Sequence, residues 1–122
     1  MADRVLRWHI KGVLSETGVK DTDVEGQAHR LDEDYRPTEV WVRVKQASQG
    51  TDGTGITIDI NDDDVSIFEE NPALPYDTLS VTSVAFSADT LQKGSIITLD
   101  VDTVGSMYAG NDLVVELYLK KV

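Results

Sequence analysis

Apolar residues recur at every second position in several short runs, and no other feature of this sequence constrains the fold as strongly. In residues 38–47, Val40, Val42 and Val44 alternate with polar or aromatic residues. Successive side chains of a β-strand point to opposite faces of a sheet, so a period of two is typical of a strand with one buried face. No window of a dozen residues keeps the helical period of 3.6, although residues 88–92 have the composition for one helical turn. The sequence therefore predicts an all-β chain.

Turn-forming clusters of Gly, Asn, Asp and Pro divide the chain into seven or eight short strands. The strands at residues 56–60 and 65–68 form a hairpin with the polar residues 61–64 as its tip. Residues 69–77 contain two prolines, which cannot donate to a central ladder, and are predicted to form a loop. The other predicted strands cover residues 4–10, 38–47, 79–87, 95–101 and 112–120.

These strands predict two antiparallel sheets packed as a single β-sandwich. A chain of 122 residues corresponds to one domain, residues 1–122, and its 40% of hydrophobic residues supply a core without cross-links. The strand number fits either jelly-roll or immunoglobulin-like winding, and we take the jelly-roll-like form as the prediction.

Residues 15–37 are predicted to form a long acidic loop in the N-terminal third. The segment is rich in Asp, Glu, Thr and Gly, and its scattered apolar residues leave room for one short strand. Because it offers little apolar surface and carries high charge, we expect it to order mainly on assembly with a neighbour.

The balance of charges disfavours two classes of partner. The chain has 22 Asp and Glu against 11 Lys and Arg, a formal net charge of −11. Nucleic-acid binding draws most of its affinity from basic residues that neutralise phosphates, so nucleic acid is disfavoured, and an anionic membrane is disfavoured for the same reason. Residues 1–7 carry spaced charges, unlike a signal peptide or a membrane helix, so we expect a soluble chain.

No motif predicts catalysis or a bound cofactor. The chain has no cysteine, and its two histidines, His9 and His29, are a thin supply of bases for a nucleophile. Residues 105–110 lack the second glycine of a nucleophile elbow, and the glycines of residues 50–55 precede a strand instead of the helix that a phosphate loop requires. We therefore predict no enzyme, and we assign no catalytic, cofactor-binding or metal-ligating residue.

Paired carboxylates are the remaining catalytic candidates, because two of them suffice to hydrolyse a sugar. Among 22 acidic residues some pairs lie close by chance. Asp100 and Asp102 alternate with Val101, and we expect them to be solvated side chains on an outer or end face. A polysaccharide depolymerase, the enzymatic alternative, therefore has no supported acid–base pair.

Two windows place oxygen ligands at the alternate positions that calcium prefers. In the first, Asp21, Asp23 and Glu25 precede Gly26, and Asp32 occupies the twelfth place. Glu25 is long for its place and Asp32 is short for a bidentate ligand, so calcium binding between Asp21 and Asp32 stays an open question. The second window, which begins at Asp59 and ends at Glu70, is better explained as a hairpin tip.

Five aromatic residues are candidates for a sugar-stacking platform. Trp41 is the best of them because it is predicted to face away from Val40 and Val42. The alternative is that Trp41 packs under the acidic loop or in a contact between subunits. The five residues are Trp8, Trp41, Tyr76, Tyr108 and Tyr118.

An ordered string of segments lies in residues 55–119, among them LDVDTVGS (99–106) and AGNDLVV (109–115). This string resembles a module of structural proteins of tailed bacteriophages, found in decoration, head-fibre and tail-fibre chains. The resemblance departs from the module at Asp64, where a Gly usually follows Asn, and at Ser95, where an Asp is usual. It follows an ordered string of segments, of which the last two are the most specific: IDIN (58–61), VSIF (65–68), ADTLQKG (88–94), LDVDTVGS (99–106) and AGNDLVV (109–115).

The resemblance implies a β-sandwich virion component, assembled in the host cytoplasm, that is often a homo-oligomer such as a trimer and brings no catalytic residues. We expect a capsid decoration or head-associated protein whose partners are other virion proteins, namely the major capsid protein or tail proteins. The alternative is a tail-associated module, as in a tail fibre, that binds a host glycan or receptor.

Overall fold

The chain folds as two antiparallel β-sheets. The computed structural model describes residues 2–16 and 27–122, and no helix occurs among them, so the all-β prediction is confirmed. The strands are β1 (Arg4–Val13), β2 (His29–Arg30), β3 (Tyr35–Gln46), β4 (Ile56–Asp62), β5 (Val65–Ser66), β6 (Ala73–Leu74), β7 (Ser80–Ser83), β8 (Ile96–Thr103) and β9 (Asn111–Lys121).

The strand order is that of a jelly roll. The first sheet has the order β1-β9-β3-β7 and the second the order β2-β8-β4-β5, with the short β6 also paired to β4. Apart from β6, the eight strands form the two interleaved Greek keys of a jelly roll. This finding decides between the two windings that the strand number left open.

The core lies between the sheets and consists of the alternate residues that the sequence pattern selected. Val40, Val42 and Val44 of β3 are at most 1% exposed, as are the inward-facing residues of β4, β8 and β9. β9 lies at the centre of the first sheet, paired to β1 on one side and to β3 on the other. Its buried residues are Leu113, Val115, Leu117 and Leu119.

The β4–β5 hairpin is tighter than predicted. β4 extends through Asp62, so the tip is the two residues Asp63 and Asp64 instead of the four residues 61–64. Both have positive φ, 47° and 71°, as the type I′ turn of a two-residue hairpin requires. The polar character of Asn61 suggested a turn, but Asn61 is a buried strand residue.

Three further segments differ from their predictions. The strand expected over residues 79–87 is confined to Ser80–Ser83, and the predicted loop 69–77 contains the two residues of β6. Residues 88–92 form no helical turn, because Leu91 is buried and forms a bridge to Tyr35. Tertiary packing therefore decides the conformation of these short segments over their local propensity.

The predicted acidic loop is only partly described. Of residues 15–37, residues 17–26 lie outside the described residues, and the expectation of ordering on assembly remains a prediction for them. The expected short strand is β2, and β3 begins at Tyr35 because a bulge between Pro37 and Glu39 accommodates the proline. Leu31 and Tyr35 are buried in the core, so this end of the segment is ordered in the single chain.

Candidate functional site

The outer face of the first sheet carries aligned rows of side chains. Residues directly opposite each other on neighbouring strands project from the same face, and these alternate with the core residues. From β1 towards β7 the rows are Val5, Tyr118 and Glu39; then Arg7, Glu116, Trp41 and Thr82; then His9, Val114, Arg43 and Ser80.

Basic residues concentrate on this sheet. Of the ten Lys and Arg that the structure describes, eight lie on β1, β3 and β9, and only Arg30 and Lys93 lie elsewhere. These three strands carry three acidic residues, a formal charge of +5, which leaves −16 for the remainder of the chain. We call the outward-facing set Arg7, Arg36, Arg43, Lys45 and Lys120 the basic face.

Glu116, the acidic residue in the middle of this face, is already paired. Its Oε2 lies 3.7 Å from Nε of Arg7, and its Oε1 accepts a 2.8 Å hydrogen bond from the Tyr118 hydroxyl. That hydrogen bond is the main cause that raises the pKa of Tyr118. The other four cations of the basic face have no carboxylate of the described residues within 4.0 Å, so their charge is available to a partner.

The two tryptophans lie on opposite faces of the first sheet. Trp8 is fully buried, and its indole Nε1 donates a 2.6 Å hydrogen bond to the carbonyl oxygen of Gln27. The ring of His29 contacts Trp8 edge-on, with centroids 5.0 Å apart. Trp41 is partly exposed on the outer face, as predicted from its position between Val40 and Val42.

The five aromatic candidates do not form one platform. Trp8 belongs to the core, whereas Trp41 and Tyr118 lie on the outer face of the first sheet. Tyr108 and Tyr76 lie in loops, where the Tyr108 hydroxyl accepts a 2.8 Å hydrogen bond from Asn111 and the Tyr76 hydroxyl bonds to Ser106 at 3.3 Å. A stacking surface would therefore consist of Trp41 and Tyr118 only.

The outer face of the second sheet carries a cluster of carboxylates, each bonded to a neutral side chain. Asp59 lies opposite Asp100 on the neighbouring strand, and Asp102 follows on the same strand as Asp100. The donors are the Ser66 hydroxyl to Asp59 at 2.6 Å, the Asn61 amide to Asp100 at 2.7 Å and the Asn71 amide to Asp102 at 3.2 Å.

Burial raises the pKa of all three carboxyl groups, and the pKa of Asp100 rises to about 6. The nearby carboxylates Asp102, Asp59 and Asp64 add to the rise at Asp100, while the hydrogen bond from Asn61 opposes it. The Asp100 side chain is fully buried, so the prediction that it is solvated is wrong. Its Oδ1 has no hydrogen-bond partner among the described residues. The side-chain alternation assigned Asp100 to the outer face correctly but gave no information about what covers that face.

Acidic residues dominate the side of the sandwich opposite to β1. Residues 46–92 contain nine Asp and Glu and no Lys or Arg. This segment spans β4 to β7, and residues 65–87 close the side of the sandwich through backbone bonds from Glu69 to Ala85 and from Ser87 to Ile67. We call six of its exposed carboxylates, those that follow β4, the acidic side: Asp63, Asp64, Glu69, Glu70, Asp77 and Asp89.

The sequence reasoning missed this separation of charge. The absence of basic residues from 46–92 is visible in the sequence. The sequence does not show that the basic residues share one face, because this follows only from the register of β1, β9 and β3.

The two calcium windows differ in how far the structure describes them. Asp21, Asp23 and Glu25 lie outside the described residues, while Asp32 accepts hydrogen bonds from Arg4 at 2.6 Å and from Tyr35 at 2.8 Å. In the second window, the side chain of Asn61 bonds to Asp100, not to a common centre with Asp59. Over the described residues, no group of three or more His, Asp or Glu side chains has a geometry suited to a metal ion.

The other residues that the motifs singled out have structural partners. Nε2 of His29 lies 3.0 Å from the carbonyl oxygen of Arg7, and His9 projects from the outer face of β1. Gly50 packs against Tyr76, and Gly55 has a positive φ next to the backbone of residues 74–76. The described residues contain no helix with the length and apolar character needed to cross a membrane.

Three comparisons with known proteins give no match. No family model, no curated protein and no solved structure is significantly similar to this chain.

Proposed function

We propose that this chain is a non-enzymatic structural protein of a tailed-bacteriophage virion, made in the host cytoplasm and assembled as a homo-oligomer that decorates the capsid or otherwise associates with the head. The resemblance of residues 55–119 to phage structural modules supports this proposal. The jelly roll is also a fold that viral capsid proteins use, although it serves lectins and cupins as well.

The observation that carries the proposal is the separation of charge between the first sheet and the rest of the chain. The formal charge is +5 on β1, β3 and β9 and −16 elsewhere. A protein that fills a defined place on a particle needs surfaces that recognise different neighbours in fixed orientations. Opposite charges on different surfaces supply that orientation, because complementary potentials fix the register of a contact and juxtaposed like charges are rejected.

The overall charge suits a subunit that stays separate until it meets the particle. At −11, free copies repel one another at long range, which favours solubility. At physiological ionic strength this repulsion is screened beyond about 8 Å, so local complementary contacts decide assembly.

The experiment combines light scattering of the purified chain with imaging of phage particles assembled without it. We expect an oligomer in solution at high concentration and regular extra density on the heads after mixing. Particles that remain bare at saturating protein, with the chain folded and monomeric, would contradict the proposal.

A second candidate, a tail-associated module that binds a host receptor or glycan, is favoured by the partial exposure of Trp41 beside the basic side chains of β3. Glycan-array binding that Trp41→Ala abolishes and Tyr108→Ala leaves intact would support it. Absence of binding to any glycan would exclude the carbohydrate form of this alternative.

A further inference from the structure

We propose that the basic face of one copy docks on the acidic side of a second copy. The inference rests on the proposed function, since it names the contact through which the virion subunit oligomerises. Both surfaces belong to the same chain but are built from different residues, so the contact is heterologous.

The ion pairs within the described chain leave the acidic side and four of the five cations of the basic face free. They join Arg4 to Asp32, Arg7 to Glu116, and Lys121 to Glu33. Among the described residues, neither Arg43 nor Lys45 is paired, and no carboxylate of the acidic side has a basic partner. Opposite charges left unpaired on separate surfaces of one chain are suited to pairing between chains.

The geometry explains why these charges do not pair within one copy. The basic side chains project outward from β1, β9 and β3, and the carboxylates of the acidic side lie in the turns and loops between β4 and β8. The two sets are therefore held on different surfaces by the rigid sandwich. Because every copy carries both surfaces, a second copy presents its acidic side at the same concentration as the basic face.

Both surfaces also carry the apolar side chains that a stable contact requires. Next to the basic charges lie Trp41, which is partly exposed, and Val5, which is 44% exposed. On the acidic side, Val65 is 68% exposed and Val84 is 70% exposed. Burial of apolar groups supplies most of the free energy of such contacts, while the charges fix orientation and exclude wrong partners.

Sedimentation velocity of the full chain between low micromolar and millimolar concentration tests the proposal. We expect self-association in about 0.15 M salt that weakens in 1 M salt, where the Debye length falls to about 3 Å. The double variant R43E/K45E should raise the dissociation constant about tenfold or more, because it juxtaposes like charges. The matched control R30E/K93E reverses two basic residues outside the basic face and should leave the dissociation constant unchanged.

A charge swap between the two surfaces gives the most specific test of the contact. The variant E69K/E70K should also lose self-association, and mixing it with R43E/K45E should restore association, because the reversed acidic side meets the reversed basic face. Circular dichroism of each variant checks that it is folded. We expect all of them to fold, because exposed positions tolerate substitution. Failure of the mixture to associate, or self-association that R43E/K45E leaves unchanged, would overturn the inference.

Two further outcomes separate this inference from the proposed function. A wild-type chain that stays monomeric up to millimolar concentration but coats phage heads would refute the contact between copies and leave the virion role standing. A monomeric chain that binds dextran sulfate through Arg43 and Lys45 would assign the basic face to an anionic polymer, which also overturns the inference. Self-association through the predicted surfaces without binding to particles would refute the virion role alone.

Discussion

The side-chain amide of Asn61 donates a 2.7 Å hydrogen bond to Oδ2 of Asp100, whose Oδ1 is buried without a partner among the described residues. A single neutral donor stabilises the ionised form of Asp100 less than burial destabilises it. The pKa of Asp100 is therefore about 6 in the folded protein, above the ordinary aspartate value of 3.8.

Asp100→Asn should remove a pH-dependent loss of stability. Protonated Asp100 is more stable in the folded state than ionised Asp100. The stability that protonation contributes is fully present below about pH 4 and is lost as the pH rises through about 6. Asn has the same shape and no charge, so the variant should match the wild type at pH 4 and exceed it by up to about 3 kcal/mol at pH 7.5. Urea unfolding at both pH values measures this difference.

The control is Asp89→Asn, which removes a carboxylate at an exposed position. It should change the free energy of unfolding by less than about 0.5 kcal/mol at either pH. An Asp100→Asn variant that is less stable than the wild type at pH 7.5 would show that the ionised carboxyl is stabilising.

Asp64→Gly should stabilise the β4–β5 hairpin. Asp64 has a φ of 71° at the second position of the two-residue turn, where glycine is favoured. We expect a gain of about 0.5–1 kcal/mol, measured by the midpoint of urea unfolding. Asp64→Ala removes the same charge without the conformational benefit, so equal stabilisation by both variants would assign the effect to charge alone.

The two tryptophans should report opposite environments. Trp41→Phe leaves the buried Trp8 as the only indole, and its emission should be blue-shifted and resistant to acrylamide. Trp8→Phe leaves the partly exposed Trp41, whose emission should be quenched efficiently. A quenchable Trp8 would contradict its place in the core.

Substitution of two glycines with similar φ should separate strain from steric overlap. Gly55 has a φ of 82° and its added Cβ would overlap the backbone of Leu74. Gly12 has a φ of 87°, and its added Cβ would have no atom of the described residues within 4 Å apart from its chain neighbours. Gly12→Ala should cost about 1 kcal/mol from backbone conformation alone. Gly55→Ala should cost about 2–4 kcal/mol, since the overlap adds to it, and urea unfolding of both variants measures the contrast.

The sequence predicted the strands that have a period of two and the second strand of the β4–β5 hairpin, but it did not place β2 precisely and did not predict β6. In β9 the buried residues alternate without interruption, and in β3 and β4 the alternation is broken only by the bulge after Pro37 and by the buried Asn61, so the pattern assigns the inward face of all three strands. β2, β5 and β6 contain two residues each, which is too few for any periodicity, and their pairing depends on tertiary contacts.

The candidate surfaces were predictable only one residue at a time. The exposure of Trp41 follows from its alternation with Val40 and Val42. The residues that lie in the same row, Arg7 and Glu116, come from strands that are far from Trp41 in sequence. The burial of Asp100 could not be predicted either, because alternation assigns a face and not the segment that covers it.

The position of β9 between β1 and β3 constrains the order of events during synthesis on the ribosome. The first sheet lacks β9 between β1 and β3 until Leu113, Val115, Leu117 and Leu119 have left the exit tunnel, because β9 follows the other described strands along the sequence. Until then the facing edges of β1 and β3 have no ladder between them, and unpaired strand edges are where chains associate wrongly. A nascent chain stalled before residue 111 therefore exposes two open edges, so the emergence of the eleven-residue strand β9 is the step that completes the first sheet.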